Sequence, residues 1–218
     1  MSLIQFFIDR YKSTSWVLIS NNLFLENELL DIKNNKRLLG LIILGSIPLI
    51  IVGYILYSTN FIYALRDVKI IAWTTLIFGI VLYIADKNRF DKKISTNLNF
   101  QSILFIGLFQ ILSLVPGVSR AGITITAARI LKFNRLDSSK ISFLLSIPAL
   151  SGASFLGLKD VLNQPLDLNY LVLIAIISSF IFSFLTVKFF LIYINKFSMN
   201  AFVIYRVVIA LILFSLIY

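Results

Sequence analysis

The chain has 218 residues, of which 59% are hydrophobic and only 14% charged, and its mean hydropathy of +0.92 indicates an integral membrane protein. It contains no histidine and no cysteine, which excludes zinc, haem and iron–sulfur centres built on those ligands and catalytic triads that use histidine. The net charge of +10 is spread between apolar runs, which favours topology signals and affinity for anionic membrane lipids and predicts no nucleic-acid partner.

The apolar runs predict an all-α fold, a polytopic transmembrane helical bundle. Residues 1–38 stand apart as a divergent or truncated amino-terminal segment, and we expect the transmembrane domain to comprise residues 39–218. The short apolar stretch of the first segment is followed by Glu26, Glu28 and Asp31, so we interpret it as an interfacial helix or a damaged span. The five predicted spans are residues 39–57, 70–85, 141–158, 170–187 and 201–218.

A different pattern separates the second span from the third. Residues 101–115 are apolar, residues 116–122 read Pro-Gly-Val-Ser-Arg-Ala-Gly, and residues 123–131 form a short helical run. At about 1.5 Å per residue such half-length pieces do not cross a core of about 30 Å. The pattern therefore predicts a re-entrant helical hairpin at about 101–131, with its tip inside the membrane and both ends on the cytoplasmic side. The basic residues that flank its two ends are Lys87, Arg89, Lys92 and Lys93 before it and Lys132, Arg135 and Lys140 after it.

The tripeptide Ser-Ile-Pro occurs twice, at residues 46–48 and 146–148, each time in an apolar run with small residues a few positions later. A match of three residues is weak evidence alone, but with the hairpin it suggests inverted-repeat character, an architecture that places binding sites at broken helices near the membrane midplane. No comparable hairpin precedes the first copy. We therefore expect half of a two-part site to be missing.

Arg120 carries the strongest functional signal, because an arginine inside a membrane is costly and normally faces a partner or a functional cavity. No Asp or Glu occurs between Asp91 and Asp137, so no carboxylate in this stretch can neutralise it. With Ser119 beside it and free N–H groups at the start of the next helix, Arg120 predicts an anion site suited to phosphate. The alternative is that Arg120 caps carbonyl groups of a neighbouring half-helix.

Three further polar side chains could contribute, and two of them have two interpretations each. Thr124 lies one helical turn after Arg120 and either donates to the same anion or bonds back to the preceding turn. Gln110, on the incoming arm of the hairpin, either lines the cavity or bonds to a neighbour. Arg206, near the start of the last span, is interpreted as extending to the membrane interface.

Three motifs occur in the order and spacing of one protein family. They are Pro-Gly-Val-Ser-Arg-Ala-Gly-Ile-Thr at 116–124, Ser-Phe-Leu-Leu-Ser-Ile-Pro at 142–148 and Phe-Val-Ile-Tyr-Arg at 202–206. With these motifs the chain resembles the undecaprenyl-diphosphate phosphatase family of bacterial inner membranes, the bacitracin-resistance type. The resemblance extends from about residue 38 to the carboxyl terminus. The motif departs from the family at Ala121, where a serine is usual.

The resemblance implies an α-helical membrane enzyme that removes the terminal phosphate of undecaprenyl diphosphate and so recycles the lipid carrier for peptidoglycan synthesis. It also implies a divalent cation, Mg²⁺ or Ca²⁺, and a multi-pass location in the bacterial inner membrane. Carried over by position, Ser119 and Arg120 are implied to be catalytic and phosphate-binding. Gly117 and Thr124 complete the implied phosphate-binding set.

The chain departs from the family pattern in its first half. The family supplies a glutamate pair and a Ser-rich turn ending in Gly-His from its first repeat, whereas this sequence has no histidine and no glutamate in a predicted span. No metal ligands are identifiable, and we expect the amino-terminal catalytic hairpin to be absent and the activity of this chain to be feeble. Two alternatives remain open, a lipid-phosphate binding or transport protein and a non-functional remnant.

Overall fold

The computed structural model describes residues 32–59, 66–87, 92–162 and 170–217. Within these ranges the chain is helical with no β-strand, which confirms the predicted all-α class. A short 3₁₀ turn, Leu112–Leu114, follows the fourth helix. The α-helices of the described ranges are α1 (Ile32–Ser58), α2 (Val68–Lys87), α3 (Ile94–Asn97), α4 (Phe100–Ile111), α5 (Arg120–Ile130), α6 (Arg135–Leu162), α7 (Tyr170–Lys196) and α8 (Asn200–Ile217).

The chain divides into two compact units, Met1–Gly40 and Leu41–Tyr218. Of the first unit, only residues 32–40 at the start of α1 are among the described residues. The predicted interfacial helix or damaged span, with Glu26 and Glu28, lies outside the described residues. Helices α2 to α8 all belong to the second unit.

Among the described residues, five helices are long and apolar enough to cross a membrane, which confirms the five predicted spans. Several boundaries were predicted too far inside the helices, and the structure gives a physical reason for two of them. The fourth span was predicted to end at residue 187, but α7 continues to Lys196, because lysine is a good helix former and Lys188 does not interrupt it. The spans in the structure are Lys36–Ser58, Val68–Lys87, Arg135–Gly157, Val172–Lys196 and Asn200–Ile217.

The second boundary error is at the start of α6, which begins at Arg135 and not at residue 141. Asn134 caps this helix, since its side-chain oxygen accepts a hydrogen bond of 2.8 Å from the N–H of Asp137. The carboxylate of Asp137 lies in the first turn, where the helix dipole favours negative charge. The first turns of α6 are therefore helical although their residues are polar, because the cap and the helix dipole stabilise them.

The two Ser-Ile-Pro copies lie inside spanning helices, with Pro48 in α1 and Pro148 in α6. In both copies the serine hydroxyl donates to a carbonyl of the preceding turn, from Ser46 to Ile42 at 2.9 Å and from Ser146 to Phe143 at 2.6 Å. The relation of the two copies as inverted repeats remains a prediction.

Helices α4 and α5 form a hairpin whose outer ends meet. The N–H of Lys92 donates to the carbonyl of Lys132, and the N–H of Asn134 donates to the carbonyl of Lys92, both at 3.1 Å. Helix α5 packs against α2, α4 and α6 and is buried continuously over 123–129. Because its two ends are hydrogen-bonded to each other, the hairpin begins and ends at the same place. The location of its tip within the bilayer remains a prediction.

A buried carboxylate holds the base of this hairpin. Asp86, in the last turn of α2, is 4% exposed and accepts hydrogen bonds from Arg135 Nε at 2.8 Å and Nη2 at 2.9 Å. Arg129 Nε of α5 lies 3.2 Å from the same carboxylate, and the N–H of Met199, before α8, donates to it at 3.2 Å. One side chain therefore connects α2, the hairpin base and the turn between α7 and α8.

The arm α4 crosses α1 at very short range. A Cβ atom on Gly107 would overlap the carbonyl oxygen of Gly45, and a Cβ on Gly45 would lie 2.8 Å from Ile103 Cγ1. Small residues at such crossings let helix backbones approach closely within membranes. The glycines therefore determine how near the hairpin lies to α1.

Replacing Gly107 by alanine is expected to destabilise the fold by about 1–3 kcal/mol, because the new methyl group meets backbone that cannot move aside. Gly157→Ala is the matched control, since a Cβ atom added there would have no other atom within 4 Å and alanine is the better helix former by roughly 0.5–1 kcal/mol. The midpoint of denaturation in mild detergent measures both. Equal midpoints for the two variants would contradict a tight crossing.

Candidate functional site

The site is built around the turn at the tip of the hairpin, residues 115–119. Two threonines of α2 hold its backbone: Thr74 Oγ1 lies 2.6 Å from the carbonyl oxygen of Pro116, and Thr75 Oγ1 lies 3.3 Å from that of Gly117. Gly117 has φ +89°, a conformation that side-chain-bearing residues rarely adopt. The turn is therefore pressed against α2 by contacts that need a glycine.

Arg206 of α8 holds the same turn from another helix. Its Nη2 donates to the carbonyl of Gly117 at 2.7 Å and to that of Val118. The side chain is buried, with 7% of its surface exposed. The interpretation that Arg206 extends to the interface is therefore wrong, because the turn carbonyls supply the polar partners that the guanidinium needs within the fold.

Ser119 forms the junction between the turn and α5. It has φ +66°, which is uncommon for a residue other than glycine, and strained conformations of this kind cluster at functional sites. Its hydroxyl oxygen accepts a hydrogen bond of 3.3 Å from the N–H of Gly122. As in any helix start, the N–H groups of Arg120 and Ala121 have no acceptor within α5.

A cavity of about 500 Å³ lies beside this junction. Its polar end is lined by Thr75, Gly117, Ser119 and Arg206. Leu82 is seven residues beyond Thr75 on α2, so the cavity extends about 10 Å along that helix. The remaining lining residues are mostly apolar: Leu82, Ala121, Gly122, Ile125, Phe190, Met199, Phe202, Tyr205 and Ile209.

Arg120 and Thr124 face away from this cavity, toward α6. Arg120 Nη1 donates to the carbonyl of Ser146 at 3.2 Å, which is the carbonyl-capping arrangement predicted as the alternative. Thr124 is 1% exposed and lies 2.7 Å from Ser142 Oγ, and it also bonds back to the carbonyl of Arg120 at 2.9 Å. In this arrangement the Thr124 hydroxyl is engaged within the protein, and Thr124 is not among the described residues that line this cavity.

The predicted phosphate-binding set is thus divided between two sides of α5. Ser119 and Gly117 line the cavity, whereas Arg120 and Thr124 contact α6. Gln110, predicted as a possible cavity-lining residue, is fully buried and is not among the described residues that line this cavity. It lies on the packed face of α4 with Ile103, and its two amide atoms have no hydrogen-bond partner among the described residues, so the alternative that it bonds to a neighbour is not borne out there either.

The described residues do not fit the divalent cation implied by the family resemblance. Across the described parts of the chain, no three His, Cys, Asp or Glu side chains are grouped closely enough to hold a metal ion. Two buried carboxylates are already occupied: Asp86 by arginines, and Asp137 by the N–H of Ile94 at 3.1 Å.

Sequence reasoning missed Thr75 and misplaced Arg206. The signal for Arg206 was present, because an arginine inside an apolar span poses the same question that drew attention to Arg120. Thr75 carried no such signal, since an isolated threonine in a membrane helix usually bonds to its own preceding turn.

Comparison with known proteins agrees with the motifs. The family model described as "Bacitracin resistance protein BacA" matches residues 1–212, so the likeness also covers the first 37 residues, which the motifs had left out. A protein named undecaprenyl-diphosphatase from Pelagibacter ubique (strain HTCC1062) is 66% identical over 196 residues, covering 89% of this chain and 77% of the relative.

Two more distant relatives carry the same name. The one from Elusimicrobium minutum (strain Pei191) is 41% identical over 177 residues, covering 81% of this chain and 67% of the relative. The one from Ruegeria sp. (strain TM1040) is 37% identical over 190 residues, covering 87% of this chain and 71% of the relative. This multi-pass membrane protein therefore belongs to the BacA family of bacitracin resistance proteins.

Proposed function

We propose that this chain is an undecaprenyl-diphosphatase that removes the terminal phosphate of undecaprenyl diphosphate in the bacterial inner membrane and so recycles the lipid carrier for cell-wall synthesis. The names of its relatives support this activity. The structural observation that carries the proposal is the position of Ser119, at the polar end of an otherwise apolar cavity. Such a cavity suits a lipid whose head group is charged and whose chain is apolar.

The start of α5 supplies the phosphate ligands in this proposal. Its first N–H groups, those of Arg120 and Ala121, and the hydroxyl of Ser119 can donate to phosphate oxygens, and the helix dipole favours the negative charge. The positive φ of Ser119 directs the turn into this arrangement. Contacts from α2 and α8 keep the strained turn in place.

Arg120 is proposed to join the phosphate by turning away from α6. Among the described residues its guanidinium donates one hydrogen bond, of 3.2 Å, to the neutral carbonyl of Ser146. A charge-assisted, bidentate contact with phosphate is stronger than a bond to a neutral carbonyl, so an entering phosphate can compete for the guanidinium. There Arg120 would neutralise the charge that develops on the phosphoryl oxygens during hydrolysis.

Phosphate release from undecaprenyl diphosphate by the detergent-solubilised chain tests this function. The Pelagibacter ubique relative serves as the reference enzyme, and we expect a lower rate from this chain because its sequence offers no histidine for proton transfer. Ser119→Ala and Arg120→Ala are each expected to reduce the remaining rate on the order of 100-fold, since each removes a donor to the transition state.

Asn99→Ala is the matched control for Ser119→Ala. Both residues cap a helix through a side-chain oxygen, Asn99 by accepting from Ser102 at 2.8 Å, and both losses cost about 0.5–2 kcal/mol of stability. Only Ser119 lines the cavity, so only its variant should lose activity beyond the effect on stability. Saturable binding of the lipid without any phosphate release would instead favour a lipid-phosphate binding protein.

A further inference from the structure

Only one of the two terminal nitrogens of the Arg206 guanidinium has a hydrogen-bond partner among the described residues. Its Nη2 donates to the carbonyls of Gly117 and Val118, whereas its Nη1 is buried and has no hydrogen-bond partner among the described residues. No ion pair joins Arg206 to a carboxylate in the described ranges. A buried charged donor without a partner is costly, and this cost favours a partner other than the described residues, which a ligand in the cavity can supply.

The unpartnered Nη1 lies at the polar end of the cavity, near Ser119. A Cβ atom on Gly122 would lie 3.1 Å from Arg206 Nη1 and 3.4 Å from Ser119 Oγ. Both polar atoms therefore face the space that the missing side chain of Gly122 leaves open. Arg206, Ser119 and Gly122 all line the cavity, so a group entering from it meets the guanidinium and the hydroxyl together.

The chemistry of this pair specifies an anion. A guanidinium offers five N–H donors and no acceptor, and its planar edges match the paired oxygens of phosphate. Ser119 adds a hydroxyl, and the start of α5 adds N–H groups with the favourable end of a helix dipole. A diphosphate group offers enough oxygens to use donors from α5 and α8 at once.

We propose that Arg206 is a direct ligand of the diphosphate group, with Nη1 binding a phosphate oxygen while Nη2 holds the turn that carries Ser119. The identity of the bound lipid rests on the proposed function, whereas the anion contact rests on the geometry of Arg206 alone. One side chain then joins substrate binding to the position of the turn. Arg206 supplies the cationic contact on the cavity side of α5, opposite to Arg120.

Binding to the full chain in detergent micelles tests this proposal with three probes: farnesyl diphosphate, inorganic pyrophosphate and uncharged farnesol. Arg206→Gln is expected to weaken binding of both diphosphates about 10- to 100-fold, the value of one charge-assisted hydrogen bond, while farnesol binding stays unchanged. Arg206→Lys keeps the charge but loses the fork, so its affinity should be intermediate. Tighter wild-type binding of farnesyl diphosphate than of pyrophosphate would identify a lipid head group as the ligand.

Two control variants separate ligand binding from support of the turn. Thr74→Val removes a hydrogen bond to the turn outside the cavity but keeps the guanidinium of Arg206, so it should weaken diphosphate binding less than Arg206→Gln does. Arg66→Gln removes one exposed positive charge and should change nothing. The proposal is overturned if Arg206→Gln binds diphosphates as the wild type does, or if it loses farnesol and diphosphates to the same extent.

The outcome is independent of the hydrolysis assay. If the wild-type chain binds diphosphate through Arg206 but releases no phosphate, the proposed function fails and the ligand assignment stands. If phosphate is released and the Arg206 variants bind diphosphate normally, the ligand assignment fails and the function stands. Equal wild-type affinity for pyrophosphate and farnesyl diphosphate would support the contact between Arg206 and a diphosphate group. It would refute the proposal that this diphosphate must belong to a lipid.

Discussion

Gly117→Ala is expected to reduce phosphate release from undecaprenyl diphosphate on the order of 100-fold, because a small displacement of the reacting groups has effects of that size. The new Cβ would overlap Thr74 Oγ1 and would lie 2.6 Å from the carbonyl oxygen of Ile71, which belongs to the backbone of α2. The positive φ of +89° adds a strain that glycine does not carry. The turn must therefore move, and Ser119 must move with it.

The stability of this variant should fall by more than about 1 kcal/mol, since alanine is unfavourable at a positive φ. Gly53→Ala is the control, because its Cβ would make only an ordinary contact of 3.7 Å with Leu114. Denaturation midpoints and initial rates of phosphate release should be measured on both variants. A Gly117→Ala protein with wild-type rates would show that the position of the turn does not matter for the chemistry.

The spans and the hairpin could be predicted from sequence because they depend on local properties. A run of about 20 apolar residues is visible without knowledge of its neighbours, and the break at Pro116 and Gly117 lies within a single stretch of chain. The errors at Arg135 and Lys196 arose where helices continue beyond their apolar part. Capping by Asn134 and the helical preference of lysine, not hydropathy, determine those ends.

The directions of side chains in the site could not be predicted, because they depend on which helices pack on each side of α5. Ser119 and Arg120 are neighbours in sequence, yet one lines the cavity and the other contacts Ser146, 26 residues away. The contact between Arg206 and Gly117 joins residues 89 positions apart. Hydropathy and motif spacing contain no information about such pairings, although both arginines were visible as charges in apolar surroundings.

The largest loss of stability is expected from Asp86→Asn, at about 3–5 kcal/mol, the usual cost of removing one partner from a buried ion pair. The carboxylate is 4% exposed and receives Arg135 through two nitrogen atoms, with Arg129 at 3.2 Å. Asparagine keeps an oxygen that can accept the hydrogen bond from the N–H of Met199. The loss of stability therefore measures the contribution of the negative charge. The buried Arg129, which is 3% exposed, cannot reach solvent to recover its hydration.

Asp67→Asn provides the matched control, since it makes the same chemical change at the other end of α2. Asp67 is exposed and accepts a hydrogen bond of 2.8 Å from the N–H of Lys69, a role that asparagine fills equally well. Its denaturation midpoint in mild detergent should therefore equal that of the wild type. The double variant Asp86→Asn with Arg135→Gln should recover part of the loss, because it removes one of the two uncompensated positive charges. If Asp86→Asn proves as stable as Asp67→Asn, the ion pairs do not hold the hairpin base, and its attachment to α2 and α8 rests on apolar packing.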